Sequence, residues 1–452
     1  MNFTLTEKQK KTCFLAFVFL LYSGRLWYMY MGYLKNYAWL GNGDESHVYI
    51  LGLRFFTDHV YPYWGPDITY FSSSLAGGMQ GLLIGLPLFV WAHPFSPYLF
   101  LFMMLCPAMI YLSWYISKLF PDLPRWLIYG AIALAPFTIH TGMKILNPAY
   151  VLFFAIPFML SLIEIFKIFP KRYIGARWCY FWIGLGVSAV FQLHASWAFL
   201  LILWGSAMVY TFLKRQSFAE IIPLYLSTIL GLIVGAVSLL PTLYHYGVGV
   251  LLQEAHSSSG LSFSIRNITD IGALIYYFVT SCGYEMNSFS GDYRWMRLWA
   301  ESYRVGAVAY VVLQIGGILI FVFQLVLPFW WKWRNHVIAY KRLLILNAVI
   351  IILLSSMYLF STVRPGAHAI LCIFPLSAIY LCWFFQGVLF INRIKYICFY
   401  VFGGLLVFYY VTIVAVTDQL PDFGYRDKAF KAIEKKDATL FETNRYPHPS
   451  PR

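Results

Sequence analysis

Charge is what this sequence has least of. Only 19 of its 452 residues are acidic and 33 are lysine or arginine, so charged side chains make up 12% against 60% hydrophobic ones. So few charges cannot keep a domain of this size in water, and apolar runs of membrane-spanning length recur to the end of the chain. The fold class is therefore an all-α polytopic membrane protein. Cysteine is sparse as well. The seven at 13, 106, 179, 282, 372, 382 and 398 lie mostly in apolar runs, and Cys372 and Cys382 are nowhere near zinc or redox spacing, so they read as small buried hydrophobes. There is no Walker pattern, no dinucleotide glycine loop and no HExxH, which removes those phosphate- and zinc-dependent chemistries. No internal repeat or low-complexity tract is evident.

Aromatic residues, by contrast, are abundant at 20%, which suits interfacial Trp/Tyr belts and outer loops packed against a bilayer. The net charge of +14 is not a nucleic-acid signature, because the basic residues fall mainly in short loops between apolar spans, as the positive-inside rule requires. The first apolar run is long and lacks a small-residue cleavage site, so it reads as an uncleaved span rather than a signal peptide.

Counting about 20 apolar residues per crossing, the spans are 12–34, 97–117, 126–141, 149–168, 179–193, 196–213, 221–245, 305–330, 343–361, 367–386 and 396–416, about eleven in all. Lys8, Lys10 and Lys11 put the N-terminus in the cytoplasm. The segment 79–93, "MQGLLIGLPLFVWAH", is short and carries glycine and proline. Reading it as a surface helix, not a crossing, puts Lys118/Arg125, Lys167/Lys171/Arg172/Arg177, Lys214/Arg215, Lys332/Arg334/Lys341/Arg342 and Arg393/Lys395 on the cytoplasmic side. The module is then residues 1–416, followed by a short polar tail, 417–452, on the outer side. The outer regions are the loop 35–96, the segment 142–148, the turn "FQLHAS", an insert at 246–304 with a surface helix near 271–280, and 361–368.

Chemistry-bearing residues gather in those outer regions. Asp44 and Glu45 stand side by side in "GNGDESHVY". Adjacent carboxylates diverge, so they do not form a proton-sharing dyad; one can face a site while the other caps a helix beginning near Ser46, and "GDES" also suits a plain N-cap. His194 lies at an outer turn between spans, where an ionisable residue is a functional candidate and a carbonyl-bonded loop histidine is the plainer alternative. In "TVRPGAH", Arg364 precedes a helix-breaking Pro-Gly, an arrangement suited to phosphate, with His368 one turn on; a snorkelling arginine is the alternative. Lys144 and Asn147 in "GMKILNPAY" form a fourth outer group, and Lys144 breaks the positive-inside pattern. Arg54, Asp58, Asp67, Arg266, Arg294, Arg297 and Arg304 read singly as surface charges. Asn267-Ile-Thr matches the glycosylation acceptor pattern.

The ordered set of these motifs resembles the GT-C membrane glycosyltransferases, and within them the bacterial relatives of the aminoarabinose and protein mannosyl transferases. The acidic pair after the first span, the surface helix "GLLIGLPLFVWAHPFSP", the Asn-Pro of "KILNPAYVLFFAIPF", the "FQLHASWAFLL" turn and "RPGAHAILCIFPLSAIY" occur in the same order across roughly 45–380. The 246–304 insert and the lack of a large soluble C-terminal domain depart from the pattern. The resemblance implies transfer of a sugar from a polyprenyl-phosphate carrier to a glycan, lipid or protein acceptor outside the cytoplasm, with inversion, in a bacterial inner membrane. It implies Asp44 as general base, with Glu45 supporting it or helping to hold a divalent ion, and Asp44 and Glu45 as the ligands if a metal is used. Arg364 and Lys144 would neutralise the departing phosphate, and His194, His368 and Asn147 would line the donor region. A lipid-linked oligosaccharide flippase and a polysaccharide polymerase are the alternatives. Polar residues in outer loops rather than mid-span weigh against the first, and the acidic pair after the first span weighs against the second.

Overall fold

The computed structural model describes residues 6–34, 44–68, 73–135, 138, 139, 142, 144–215, 217–249, 265–280, 315, 338–359, 371–389, 404 and 425–441. They form a helical, multi-pass integral membrane architecture. Six helices are long and apolar enough to cross a bilayer: Glu7–Leu34 (α1), Ser96–Leu119 (α4), Pro148–Ile165 within Asn147–Ile165 (α6), Trp197–Lys214 (α8), the continuous run Phe218–Tyr246 and Lys341–Tyr358 within Ile338–Tyr358 (α12). The run Phe218–Tyr246 comprises Phe218–Ala236 (α9), a 3-10 turn Val237–Leu239 and Leu240–Tyr246 (α10).

The expected count of about eleven is not reproduced among the described residues. Ala176–Phe191 (α7) and the apolar helix Leu371–Gln386, which overlaps Phe374–Leu389 (α13), are shorter than a comfortable crossing. Of the expected spans 305–330 and 396–416, all but residues 315 and 404 lie outside the described residues. The expected span at 126–141 is interrupted: its helix, Arg125–Ala133 (α5), has only nine residues. At the break stands Arg25, a charge in the middle of α1 whose significance the apolar pattern hides. Its guanidinium, only 2% exposed, donates to the Ala133 carbonyl, to Thr138 Oγ1 at 3.1 Å and to the Thr138 carbonyl at 3.0 Å. Carbonyls freed by ending a helix in an apolar setting need donors, and Arg25 supplies them.

The described residues that follow α1 fold onto one end of this bundle. Asp44–Thr57 (α2) packs along Met79–Val90 (α3), a 12-residue helix too short to cross alone. Between them Trp64–Ile68 (β1) and Ser73–Ala76 (β2) pair antiparallel, Trp64 facing Ala76 and Ile68 facing Ser73. The loop is bolted to the end of α9. Tyr61 Oη donates to the Ser238 carbonyl at 2.6 Å, the Gly78 N–H donates to the same carbonyl at 3.0 Å, and Thr242 Oγ1 donates to the Tyr63 carbonyl at 2.7 Å.

A helix is found at the expected place, Ile265–Thr280 (α11), longer than expected, with Leu274 and Phe278 buried as it packs against α12 and α13 and Ile265 and Ile268 exposed. Asn267 is buried within it and its side-chain amide donates to the Leu359 carbonyl, so it is not a glycan acceptor, which needs an exposed asparagine. In the polar tail, Tyr425–Lys435 (α14) and a 3-10 turn Ala438–Leu440 dock on α2, burying Ala429, Ala432, Ile433 and Phe441, while Arg426 Nη1 caps the last turn of α1 at the Leu34 carbonyl, 2.8 Å away.

The faces of α9 show how lipid and protein divide a helix. Phe218, Ile222, Leu226, Ile229, Ile233 and Val237 are exposed apolar residues on one side. On the other, Gly231 lies so near α7 that a Cβ added there would sit 2.1 Å from the Phe181 carbonyl oxygen and 2.8 Å from the Leu185 nitrogen. With no hydrophobic drive between helices in lipid, close backbone approach at small residues supplies the packing. Gly231→Ala should therefore lower stability by about 1–3 kcal/mol, the usual cost of overpacking. Gly205→Ala in α8, where the added Cβ meets nothing within 4 Å, should not lower it. Thermal unfolding of both variants in one detergent checks this; equal midpoints would contradict the packing account.

Candidate functional site

The acidic pair opens α2. The helix starts at Asp44, two residues earlier than the "GDES" pattern suggests, and Glu45 is its second residue. Glu45 does not turn back to cap its own helix. Its side chain is buried, and Oε1 accepts from Tyr98 Oη at 2.8 Å and from the Ile145 N–H at 2.8 Å. Lys144, also buried, is close enough for its charge to act on the carboxylate. Two residues proposed from separate motifs, Glu45 and Lys144, are thus brought together from positions about a hundred apart in the chain.

The geometry follows from local chain chemistry. Ile145 lies just ahead of α6, which opens at Asn147 with Pro148 in its first turn, where a missing N–H costs nothing. The peptides ahead of a helix carry unpaired N–H groups and the positive end of the macrodipole, so a carboxylate is favoured there. Burial nevertheless pushes the Glu45 carboxyl above the usual carboxylate range, while the Ile145 amide, the Tyr98 hydroxyl and Lys144 pull against that rise. Burial also raises the Tyr49 phenol, one turn along α2, well above its ordinary value. The hydroxyls of Tyr150 and Tyr33 are buried with no hydrogen-bond partner, and Tyr150 is near enough to feel the Glu45 charge.

A wall of rings closes this group. Tyr33 packs on Phe95 and Tyr98 with centroids 5.0 and 5.7 Å apart, His93 stacks on Trp91 at 4.4 Å, and Phe430 of α14 meets His93 edge-on at 5.0 Å. Burial lowers the His93 pKa from the usual imidazole value. Its Nδ1 accepts the Phe95 N–H at 3.1 Å. Tyr98, Tyr150 and the Ile145 amide carry no signal in the sequence, being one aromatic among many and a backbone group. The approach of the tail to His93 has no local signature either.

His194 belongs to a second group at the same end. Its Nδ1 accepts the Ser196 N–H at 3.1 Å and lies 3.0 Å from Ser196 Oγ. Ser196 in turn is hydrogen-bonded to the Cys372 side chain, four residues beyond His368. The neighbouring Gln192 is wholly buried. Its amide donates to the Gly235 carbonyl at 2.8 Å and its oxygen accepts from Ser238 Oγ at 2.9 Å. It also supports the hairpin: a Cβ at Gly77, whose φ is +114°, would meet Gln192 Oε1 at 2.4 Å. Asn147 begins α6, and Asp44 begins α2. Arg364 and His368 lie outside the described residues.

Glu45 is a poor fit for a metal ligand. Its bonded oxygen already accepts two hydrogen bonds and a lysine cation stands beside it, the surroundings of a positioned carboxylate and not of one awaiting a cation. Among the described residues no three His, Cys, Asp or Glu side chains converge on a common point. No step is therefore routed through a metal.

Because the folded-state pKa of Glu45 is raised, the native protein holds this proton more tightly than the unfolded chain does. Its stability contribution is full below the unfolded-state pKa and is lost as pH rises through the folded value. The unfolding free energy of the wild type should fall across that window relative to Glu45→Gln, by up to about 1.4 kcal/mol per pH unit. Paired denaturation curves between acid and neutral pH measure the difference, and parallel pH profiles would refute a raised pKa.

Compared with models of known protein families, with curated proteins and with solved structures, the chain matches none, so its function has to be read from the chemistry of this site.

Proposed function

We propose that this protein is an integral-membrane glycosyltransferase that moves a sugar from a polyprenyl-phosphate donor to a glycan, lipid or protein acceptor on the extracytoplasmic side, with inversion, in a bacterial inner membrane. The observation that supports it most is the junction at the start of α2. Asp44 is the first residue of a helix whose second residue, Glu45, is anchored to Tyr98 and to the peptide ahead of α6 beside Lys144. A short helix lying across the end of a bundle thereby presents a carboxylate at a fixed point.

In this reading Asp44 takes the proton from the acceptor hydroxyl as its oxygen attacks the anomeric carbon. The bond from that carbon to the phosphate oxygen breaks, and the lipid phosphate leaves with the electron pair. One base suffices for a single inverting displacement, and no carboxylate nucleophile is required. Glu45 is a positioning residue, since its hydrogen bonds hold the first turn of α2 against α4 and α6. Lys144, buried beside Glu45, balances that carboxylate, so the growing charge on the departing phosphate falls to Arg364, whose planar fork suits phosphate. His194 and His368 line the donor region, and Asn147 opens the helix beneath it.

Asp44→Asn should reduce transfer by about 10²–10⁴-fold, the range for a positioned general base, with protein level and membrane insertion unchanged. Near-wild-type transfer in isolated membranes would exclude Asp44 as the base. Arg364→Ala should weaken binding of the polyprenyl-phosphate sugar to the purified protein; an unchanged dissociation constant would take Arg364 out of the phosphate role. Lipid analysis of a deletion strain tests the reaction class itself. Accumulation of a polyprenyl-phosphate sugar beside a glycan lacking one residue is the expected outcome, and an accumulated complete lipid-linked oligosaccharide would favour a flippase instead.

A further inference from the structure

A second polar cavity lies at the other end of the same helices. The 19 residues of α6 rise about 28 Å, close to the hydrocarbon thickness of a bilayer. Glu45 and Lys144 meet at the start of that helix, and at its finish a pocket of about 250 Å³ opens between the ends of α6 and α8 and the beginnings of α7 and α9. Its charged lining is four cations, Lys167, Arg172, Lys214 and Arg215, against two carboxylates, Glu164 and Glu220. Both carboxylates are already engaged. Glu164 accepts the Tyr173 N–H at 2.9 Å and has Arg172 at 3.8 Å, and Glu220 is paired with Arg215 at 2.7 Å. The ammonium groups of Lys167 and Lys214 have no carboxylate partner among the described residues, so the pocket carries surplus positive charge.

Three more features of the pocket point to an anion. First, α7 and α9 begin here behind Gly175 and Ser217, and neither N-terminus is capped by a side chain, which leaves N–H groups at the positive ends of two helix dipoles. Second, Lys167 is held at φ +51°, just past the end of α6, where glycine is the comfortable residue. A non-glycine residue is strained there, and strain of this kind clusters at functional sites. Third, that strained residue is fixed from outside, its carbonyl accepting Arg342 Nη1 from α12 at 2.8 Å. The nearby surface shows what carries the anion. Trp178, Phe212, Leu213 and Phe218, on the helix ends that form the pocket, are all exposed apolar residues, so a headgroup in the pocket has a place beside it for acyl chains.

We propose that this pocket binds the phosphate of an anionic phospholipid headgroup, at the membrane face opposite the acidic pair. The charge pattern of the sequence makes that face cytoplasmic, the side where anionic lipids interact with basic pockets between helices. Bound there, one lipid ties the ends of four helices that otherwise repel one another through their surplus cations.

Full-length protein in a neutral detergent tests this, with dioleoyl phosphatidylglycerol, dioleoyl phosphatidylcholine or inorganic phosphate added separately and the unfolding midpoint read by intrinsic fluorescence. Phosphatidylglycerol should raise the midpoint by several degrees, phosphatidylcholine and inorganic phosphate should not, and Lys167→Ala/Lys214→Ala should lose most of the rise. Lys167→Gly is a second variant that relieves the backbone strain. It should be at least as stable as wild type without phosphatidylglycerol and gain less from adding it. Equal shifts with the two lipids, or an undiminished phosphatidylglycerol shift in both variants, would overturn the proposal. A shift reproduced by inorganic phosphate alone would overturn the lipid as its source. None of these readouts involves sugar transfer, so the outcome is independent of the role of Asp44.

Discussion

The chain between α5 and α6 is the point on which the rest of the structure turns. A helix that stops inside an apolar bundle leaves carbonyls without donors at one end and amides without acceptors at the other. Here a cation from α1 meets the first set and an anion from α2 meets the second. Arg25 donates to the carbonyls of Ala133 and Thr138, and Glu45 accepts the Ile145 amide. Each buried charge is held by backbone dipoles of matching sign, and Glu45 has Lys144 beside it as well. Removing either side chain would strand polar groups that water cannot reach, at about 1–3 kcal/mol per group.

That bracket couples the first outer loop to the membrane bundle. α2 cannot drift from the end of α6 without stripping Glu45 of both its donors, and α3 follows α2. The hairpin cannot shift without losing the Ser238 and Tyr63 contacts or driving Gly77 into Gln192. The tail adds a third restraint, since Arg426 caps α1 while Phe430 and Phe441 cover the aromatic wall from outside.

How much of this is visible in the sequence depends on the range of the interaction that decides each feature. Spans set by apolar length alone, such as α1, α4, α6 and α8, match their expected positions closely, because one helix of about 20 apolar residues satisfies its own backbone. The expectation that 79–93 does not cross rests on its length and on the alternation of loop charge; the helix found there, Met79–Val90, has 12 residues. The donor at the interruption of α5 is Arg25, more than a hundred residues upstream of Thr138, and no local pattern encodes that pairing. A charge within the first span was itself the available signal, since intramembrane arginines rarely lack a task. Asn267 misleads in the opposite direction: its three-residue motif is local, while its burial is set by α12.

The division of labour within the acidic pair follows from the same constraint. Two adjacent helical carboxylates project about 100° apart, so if one is buried the other is turned away from it. Glu45 takes the inward direction and spends its hydrogen-bonding capacity on Tyr98 and Ile145. A carboxylate so engaged, with two hydrogen-bond donors and an ammonium beside it, is well suited to fix a backbone. Asp44 is the preceding residue of the same turn, which Glu45 anchors. A general base needs position before it needs an unusual pKa, and in the proposed reaction the anchored glutamate would provide that position.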